Sequence, residues 1–265
     1  MGAVSRCPAP WAQNVGESPL PDSRGHRGPD PRDPAAFAPE EWPRLRQAVA
    51  DLSWLLTRGY APVSSLKLVG DRHELTERQR TAVRRCACDD ASLARRLRHR
   101  IDGADLRGRP IRIDGFNVLT TVEVALGGGV VLRGRDGSDR DLAGVHGTYR
   151  RVEETRPALA VLGSALAGLG CSPCTWYLDR PVSNSGRLGA IVREQAAALG
   201  LDWRVELVFD PDPILCESPE AVATADSAIL DRCAGWVNLA RAVVEACVPS
   251  AIVVDLGLAA AHDPA

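Results

Sequence analysis

Apolar residues in the first half of the chain recur with the period of a helix. Leu45, Val49, Leu52 and Leu56 follow Glu40, Glu41 and Pro43, and the run stops at Gly59. Acidic residues and proline in a first turn, with glycine past the last one, predict one amphipathic helix here. Thr76 and Gln79 have the spacing of a capping box, so a second helix is expected over 76–88. A third covers 91–99, and 66–69 reads as a short extended piece.

After Arg109 and Pro110 the period changes. Short apolar runs at 111–113, 175–178, 205–209, 221–224, 236–238 and 251–254 alternate with helical stretches at 121–126, 141–169, 187–199, 228–233 and 240–247. That alternation predicts strand–helix–strand crossovers and a parallel α/β sheet. The glycine-rich stretch 127–137 reads as a loop or hairpin flap. The expected organisation is a disordered leader (1–37), a small helical domain (38–106), the α/β domain (107–258) and a tail (259–265).

The leader is expected to be disordered because residues 1–34 carry seven of the 19 prolines and almost no aliphatic side chains. The net charge of -2 gives no global attraction to nucleic acid or membrane, so any such attraction is local. Residues 78–112 supply it, with eleven arginines, Arg84 and Arg85 among them, against four aspartates, a net of +7. No apolar run has membrane length, since 158–169 is short and 236–258 is broken by Arg241, Glu245, Pro249 and Asp255. The N-terminus lacks the apolar core of a secretory signal, which implies a cytoplasmic location and eight reduced cysteines. Cys86 with Cys88 and Cys171 with Cys174 could share a zinc ion, but Cys-x-Cys is a poor knuckle and free buried thiols are expected.

Several predicted strands run straight into an aspartate: Ile113 into Asp114, Leu178 into Asp179, Phe209 into Asp210, and 222–225 into Asp226. In an open parallel sheet these ends share one edge, where ligands bind. Carboxylates at that density repel one another unless cations neutralise them, and hard oxygen donors suit Mg²⁺ or Mn²⁺. Asp179, Asp210 and Asp226 each have an alternative role as helix N-caps. Asp114 stands apart, because Gly115 permits close backbone approach and Asn117 is spaced to hold the carboxylate or a bound water. Ser183 and Ser185, ahead of a helix starting near Arg187, form a candidate anion cradle, or ordinary caps. His146, Arg150 and Arg151 could hold a nucleic-acid backbone, or form a solvated basic face.

The run 112–119 (Arg-Ile-Asp-Gly-Phe-Asn-Val-Leu) resembles the first-strand motif of PIN and NYN-type nucleases, and 222–227 (Val-Ala-Thr-Ala-Asp-Ser) resembles their later Thr-x-Asp-Ser turn. With 51–60 in front, residues 40–256 resemble an uncharacterised prokaryotic family in which domain-of-unknown-function family 434 is joined to a PIN-like domain. The resemblance implies a Rossmann-like α/β fold, Asp114 and Asp226 as metal ligands with Asn117 in support, and Asp179 as a further member. The second acidic residue of the later motif is replaced by Ala228, with Asp231 one turn on. The usual acid on the long helix would be Glu153, Glu154 or Asp141.

These features predict a nuclease-like protein in which Asp114, Asp179, Asp226 and Asp210 hold Mg²⁺ or Mn²⁺ and RNA phosphodiesters are hydrolysed, with Arg84, Arg85, Arg150, Arg151, Ser183 and Ser185 on the RNA. RNA is implied by the resemblance. A catalytically silent nucleic-acid or protein-binding module and a small-molecule phosphohydrolase are the alternatives.

Overall fold

The computed structural model describes residues 25–142, 149 and 151–257. Five helices come first: α1 (Asp33–Ala36), α2 (Trp42–Thr57), α3 (Pro62–Arg72), α4 (Glu77–Cys86) and α5 (Asp90–His99). Thr76 accepts from the Gln79 amide while the Gln79 side chain accepts from the Thr76 amide, so the capping box starts α4 as its spacing predicts. The stretch 66–69 is part of α3 and not an extended piece. Pro62 in its first turn supplies the helical φ, and Ser65 and Val69 face inward one turn apart.

Then follow β1 (Ile111–Asp114), α6 (Gly115–Leu126), β2 (Val130–Arg133), β3 (Asp139–Asp141), α7 (Thr155–Leu169), β4 (Cys174–Asp179), α8 (Ser185–Leu199) and β5 (Trp203–Val208). The chain closes with α9 (Pro211–Cys216), β6 (Ala221–Ala223), α10 (Ser227–Leu230), β7 (Trp236–Val237), α11 (Leu239–Cys247) and β8 (Ile252–Asp255). The main sheet has the order β5-β4-β1-β6-β7 and is parallel throughout. It confirms the α/β class. β1 is central, with Ile113 between Trp176 and Ala223, so the ends of β1, β4 and β6 lie side by side.

Two expectations are corrected by a second sheet of order β3-β2-β8. The stretch 127–137 is not a free flap, because β2 pairs with β3 antiparallel and with β8 parallel. The long helix starts at Thr155 and not at 141, since Asp139–Asp141 are drawn into β3, where Arg133 Nε lies 2.8 Å from Asp139 Oδ1. Strand β8 therefore leaves the main sheet, and its Asp255 is not on the sheet edge carrying Asp114.

The helical unit does not form a core of its own. Leu45, Val49, Leu52, Val69 and Val83 pack in one cluster with Val130, Leu132, Val254 and Leu256 of the second sheet. The leader is likewise corrected for residues 25–37. Glu123 of α6 is fully buried, and a buried carboxylate needs partners. Arg27 Nε donates to its Oε2 at 2.7 Å, while Thr155 Oγ1, at 2.7 Å, and the Tyr149 hydroxyl donate to Oε1. Ala36 and Phe37 then join the apolar cluster. Among the described residues no helix is long and apolar enough to cross a membrane.

Candidate functional site

Strand β1 passes into α6 with no loop between them. Gly115 makes this possible, because a Cβ there would lie 2.6 Å from Leu178 Cδ2 and 2.8 Å from the Tyr177 carbonyl oxygen. Asp114 is thereby lodged at the strand end, 9% exposed. Its Oδ2 accepts from Thr224 Oγ1 at 2.8 Å, and that hydroxyl oxygen accepts from the Asp226 amide at 3.0 Å. Asn117 does not hold the carboxylate as expected. From the first turn of α6 it reaches the neighbouring crossover, and its Oδ1 accepts from the Ala225 amide at 2.8 Å.

Asp226 joins the site and caps a helix at once. Its Oδ1 accepts from Ala228 N at 2.8 Å and Ile229 N at 3.3 Å, so the alanine that departs from the nuclease motif contributes its amide instead. Asp179, at the end of β4, is half-buried. Asp210 is exposed, caps α9 by accepting from the Asp212 amide at 3.1 Å, and stands outside the cleft. In its place Asp212 enters, which sequence reasoning missed. Strand β5 ends at Val208, so the aspartate nearest the apolar run serves the cap and the turn of α9 presents Asp212.

Asp114, Asn117, Thr120, Asp179, Asp212 and Asp226 line a cleft of about 830 Å³, and Tyr60, Arg84 and Arg85 of the helical unit line it too. Burial pushes the Asp114 carboxyl up to about 7; the negative charges of Asp226, Asp212 and Asp179 add to this, and the Thr224 hydrogen bond opposes it. Asp179 is raised by burial and then by Asp210. Asp212 is raised by burial and then by Asp226, Asp210 and Asp179. The Thr120 hydroxyl is buried with no hydrogen-bond partner among the described residues. Asp141, which the sequence placed at a helix start, is also on the cleft, with its Oδ2 3.2 Å from Thr121 Oγ1 and its backbone oxygen accepting from Arg85.

Other predicted residues are not brought there. Ser185 is buried and turns its hydroxyl to the Arg180 carbonyl at 3.3 Å, while Ser183 is exposed away from the cleft, so neither builds an anion cradle at it. Arg151 lines a separate cavity of about 560 Å³ near Arg27. Glu154 meets His26 Nδ1 at 3.0 Å, and Glu153 lies 3.7 Å from His26 Nε2, so neither supplies an acid to the cleft. Asp231 lines the cleft but is paired with Arg96. Arg150 and His146 lie outside the described residues. Among the described residues no three His, Cys, Asp or Glu side chains are close enough to hold a metal ion by themselves.

Fold and cleft define a parallel α/β domain with an acidic strand edge, faced by a basic helical unit. The description Domain of unknown function (DUF5616) matches residues 103–242, and Protein of unknown function (DUF434) matches 44–99. The chain belongs to the DUF5616 family, with a DUF434 unit ahead of it. It is 31% identical over 186 residues to the uncharacterized protein MJ0935 of Methanocaldococcus jannaschii, covering 70% of this chain and 88% of that one. No solved structure matches.

Proposed function

We propose that the acidic cleft is the centre of a Mg²⁺- or Mn²⁺-dependent nuclease that hydrolyses RNA phosphodiesters. One observation carries this: Asp114 is buried at a strand edge where three further carboxylates raise its proton affinity. Such a group gains most from a cation. The donors suit Mg²⁺, which binds through one or two carboxylates, waters and substrate phosphate and so needs no cage of three side chains. Thr120 adds a buried hydroxyl free to bond a ligand or ordered water.

Asp114 and Asp226 would hold the ion, with Asp179 and Asp212 beside them. When bound, the ion supplies Lewis-acid charge at the phosphoryl group. Asn117 keeps the Asp226 turn against α6 through the Ala225 amide. Arg84 and Arg85, which line the same cleft, would take backbone phosphates, binding in a salt-sensitive way.

A second reading, a catalytically silent nucleic-acid or protein-binding module on the same scaffold, is favoured by Ala228 and by the spread of the carboxylates. The test is a cleavage assay with an end-labelled single-stranded RNA and with p-nitrophenyl phosphate, in EDTA, Mg²⁺ and Mn²⁺, for wild type and Asp114→Asn. Metal-dependent RNA cleavage lost in the variant supports the nuclease. RNA binding without cleavage supports the module, and turnover of the small ester alone supports a phosphohydrolase.

A further inference from the structure

Asp226 is held by more than its own capping bonds. The carbonyl before it, of Ala225, accepts from Arg140 Nε at 2.8 Å, and the one after it, of Ser227, accepts from Arg96 Nη2 at 3.4 Å. The two arginines come from different places, Arg140 from β3 and Arg96 from α5 of the helical unit. They are 7% and 3% exposed and share Asp136, itself 2% exposed in the β2–β3 turn. Arg140 contacts it at 3.0 and 2.7 Å and Arg96 at 2.7 Å, while Ser138 Oγ donates to Asp136 at 2.7 Å. Arg96 also takes both oxygens of Asp231, at 2.7 and 2.8 Å, just past α10.

Buried charge networks return little net stability, because desolvation offsets attraction, but they fix relative geometry. This one joins three remote segments and grips the backbone on both sides of a single acidic residue. We propose that Arg96 and Arg140 are positioning residues that set where Asp226 presents its carboxylate, so that the helical unit and the β2–β3 hairpin govern the acidic edge. The inference rests on the reading of the cleft as a metal-dependent site. Both arginines line the cleft, but each of their three guanidinium nitrogens already donates within the protein, which ties both side chains to this network.

Arg96→Lys and Arg140→Lys test it, since lysine keeps the charge opposite Asp136 but cannot hold a carboxylate and a carbonyl from one planar fork. Mn²⁺ affinity by calorimetry and amide exchange of 225–230 are measured in the full chain. Both variants are expected to melt below the wild type, because buried oxygens lose donors, to exchange about tenfold faster at 225–230 and not in β1 or β4, and to bind Mn²⁺ about 10- to 100-fold more weakly. Asp226→Asn should then cost less Mn²⁺ affinity in the lysine backgrounds than in the wild type. Wild-type affinity and exchange in both variants, or an equal cost of Asp226→Asn in every background, overturns the inference. Should the lysine variants not fold, Gly134→Ala pushes its Cβ into Arg140 Nη1 with all charges kept, and the same outcomes decide. A wild type that does not bind Mn²⁺ removes the nuclease reading and this inference with it, whereas failure in the variants alone removes only this one.

Discussion

Replacing Asp114 with asparagine is expected to stabilise the metal-free protein, and to do so more at high pH than at low. In the folded chain the Asp114 carboxyl titrates at about 7, against 3.8 for an ordinary aspartate. Between those values the native state keeps a proton that the unfolded state has released. Its contribution to stability is therefore full at low pH, lost as pH rises through the window, and flat above it. At about 1.4 kcal/mol per pH unit the whole interval corresponds to roughly 4 kcal/mol, of which about 2 kcal/mol falls between pH 5 and 7 and about 3 kcal/mol by pH 8. Asparagine removes the titration while its carbonyl oxygen can still accept from Thr224 Oγ1. Asp179 and Asp212 are raised too, so both proteins keep a residual slope of the same sign, and the difference between them isolates Asp114. Urea unfolding of both proteins in EDTA, from pH 5 to 8, reads it. The variant's advantage should grow by about 3 kcal/mol across that range and shrink when Mg²⁺ is added, because the cation favours the ionised carboxylate. Superimposable pH profiles, or an advantage that is largest at pH 5, would refute the reasoning.

Three further outcomes are expected. Deletion of residues 1–34 removes Arg27 from the buried Glu123 and should cost about 3–5 kcal/mol in denaturant unfolding, with Glu123→Gln recovering part of the loss. Gly115→Ala drives a Cβ against Leu178 and the Tyr177 carbonyl, and should destabilise by about 1–3 kcal/mol in a thermal melt. Arg84→Ser should weaken RNA binding uniformly across sequences and lower the slope of log affinity against log salt by about 1, measured by fluorescence anisotropy.

The parts of this fold that could be read from the sequence are those fixed by local rules. The Thr76–Gln79 box and the apolar spacing of Leu45, Val49 and Leu52 need only their neighbours, as does the run of Ile111 and Ile113 into Asp114. What escaped depends on partners far along the chain. Val130, Val131 and Leu132 sit in a glycine-rich stretch that looks like a loop until β8, some 120 residues away, supplies the strand they pair with. Arg27 looks like one more charge in a proline-rich leader, because its meaning lies in a Glu123 that only the packing of α6 and α7 buries. Asp212 was hidden by a rule that held: Asp210 follows the apolar run and is an N-cap, and the capped turn is what brings the second aspartate to the cleft.

The two matched regions, 44–99 and 103–242, meet at a boundary that the packing ignores. Val130 and Leu132 belong to the second region and Val254 and Leu256 lie beyond it, yet all four are buried against the helices of the first. Arg96 crosses the same boundary to the turn that carries Asp226, and Trp236 of β7 donates its indole N–H back to the Arg96 carbonyl at 2.7 Å. A helical unit joined by a linker could be exchanged without disturbing the strand edge. One that shares a core with β2 and β8, and holds the segment after β6 by the Arg96–Asp231 ion pair and a hydrogen bond to the Ser227 carbonyl, cannot move without moving Asp226. The cleft is therefore a joint product: the parallel sheet brings the carboxylates to one edge, and the helical unit both holds one of them in place and sets Arg84 and Arg85 in the same cleft.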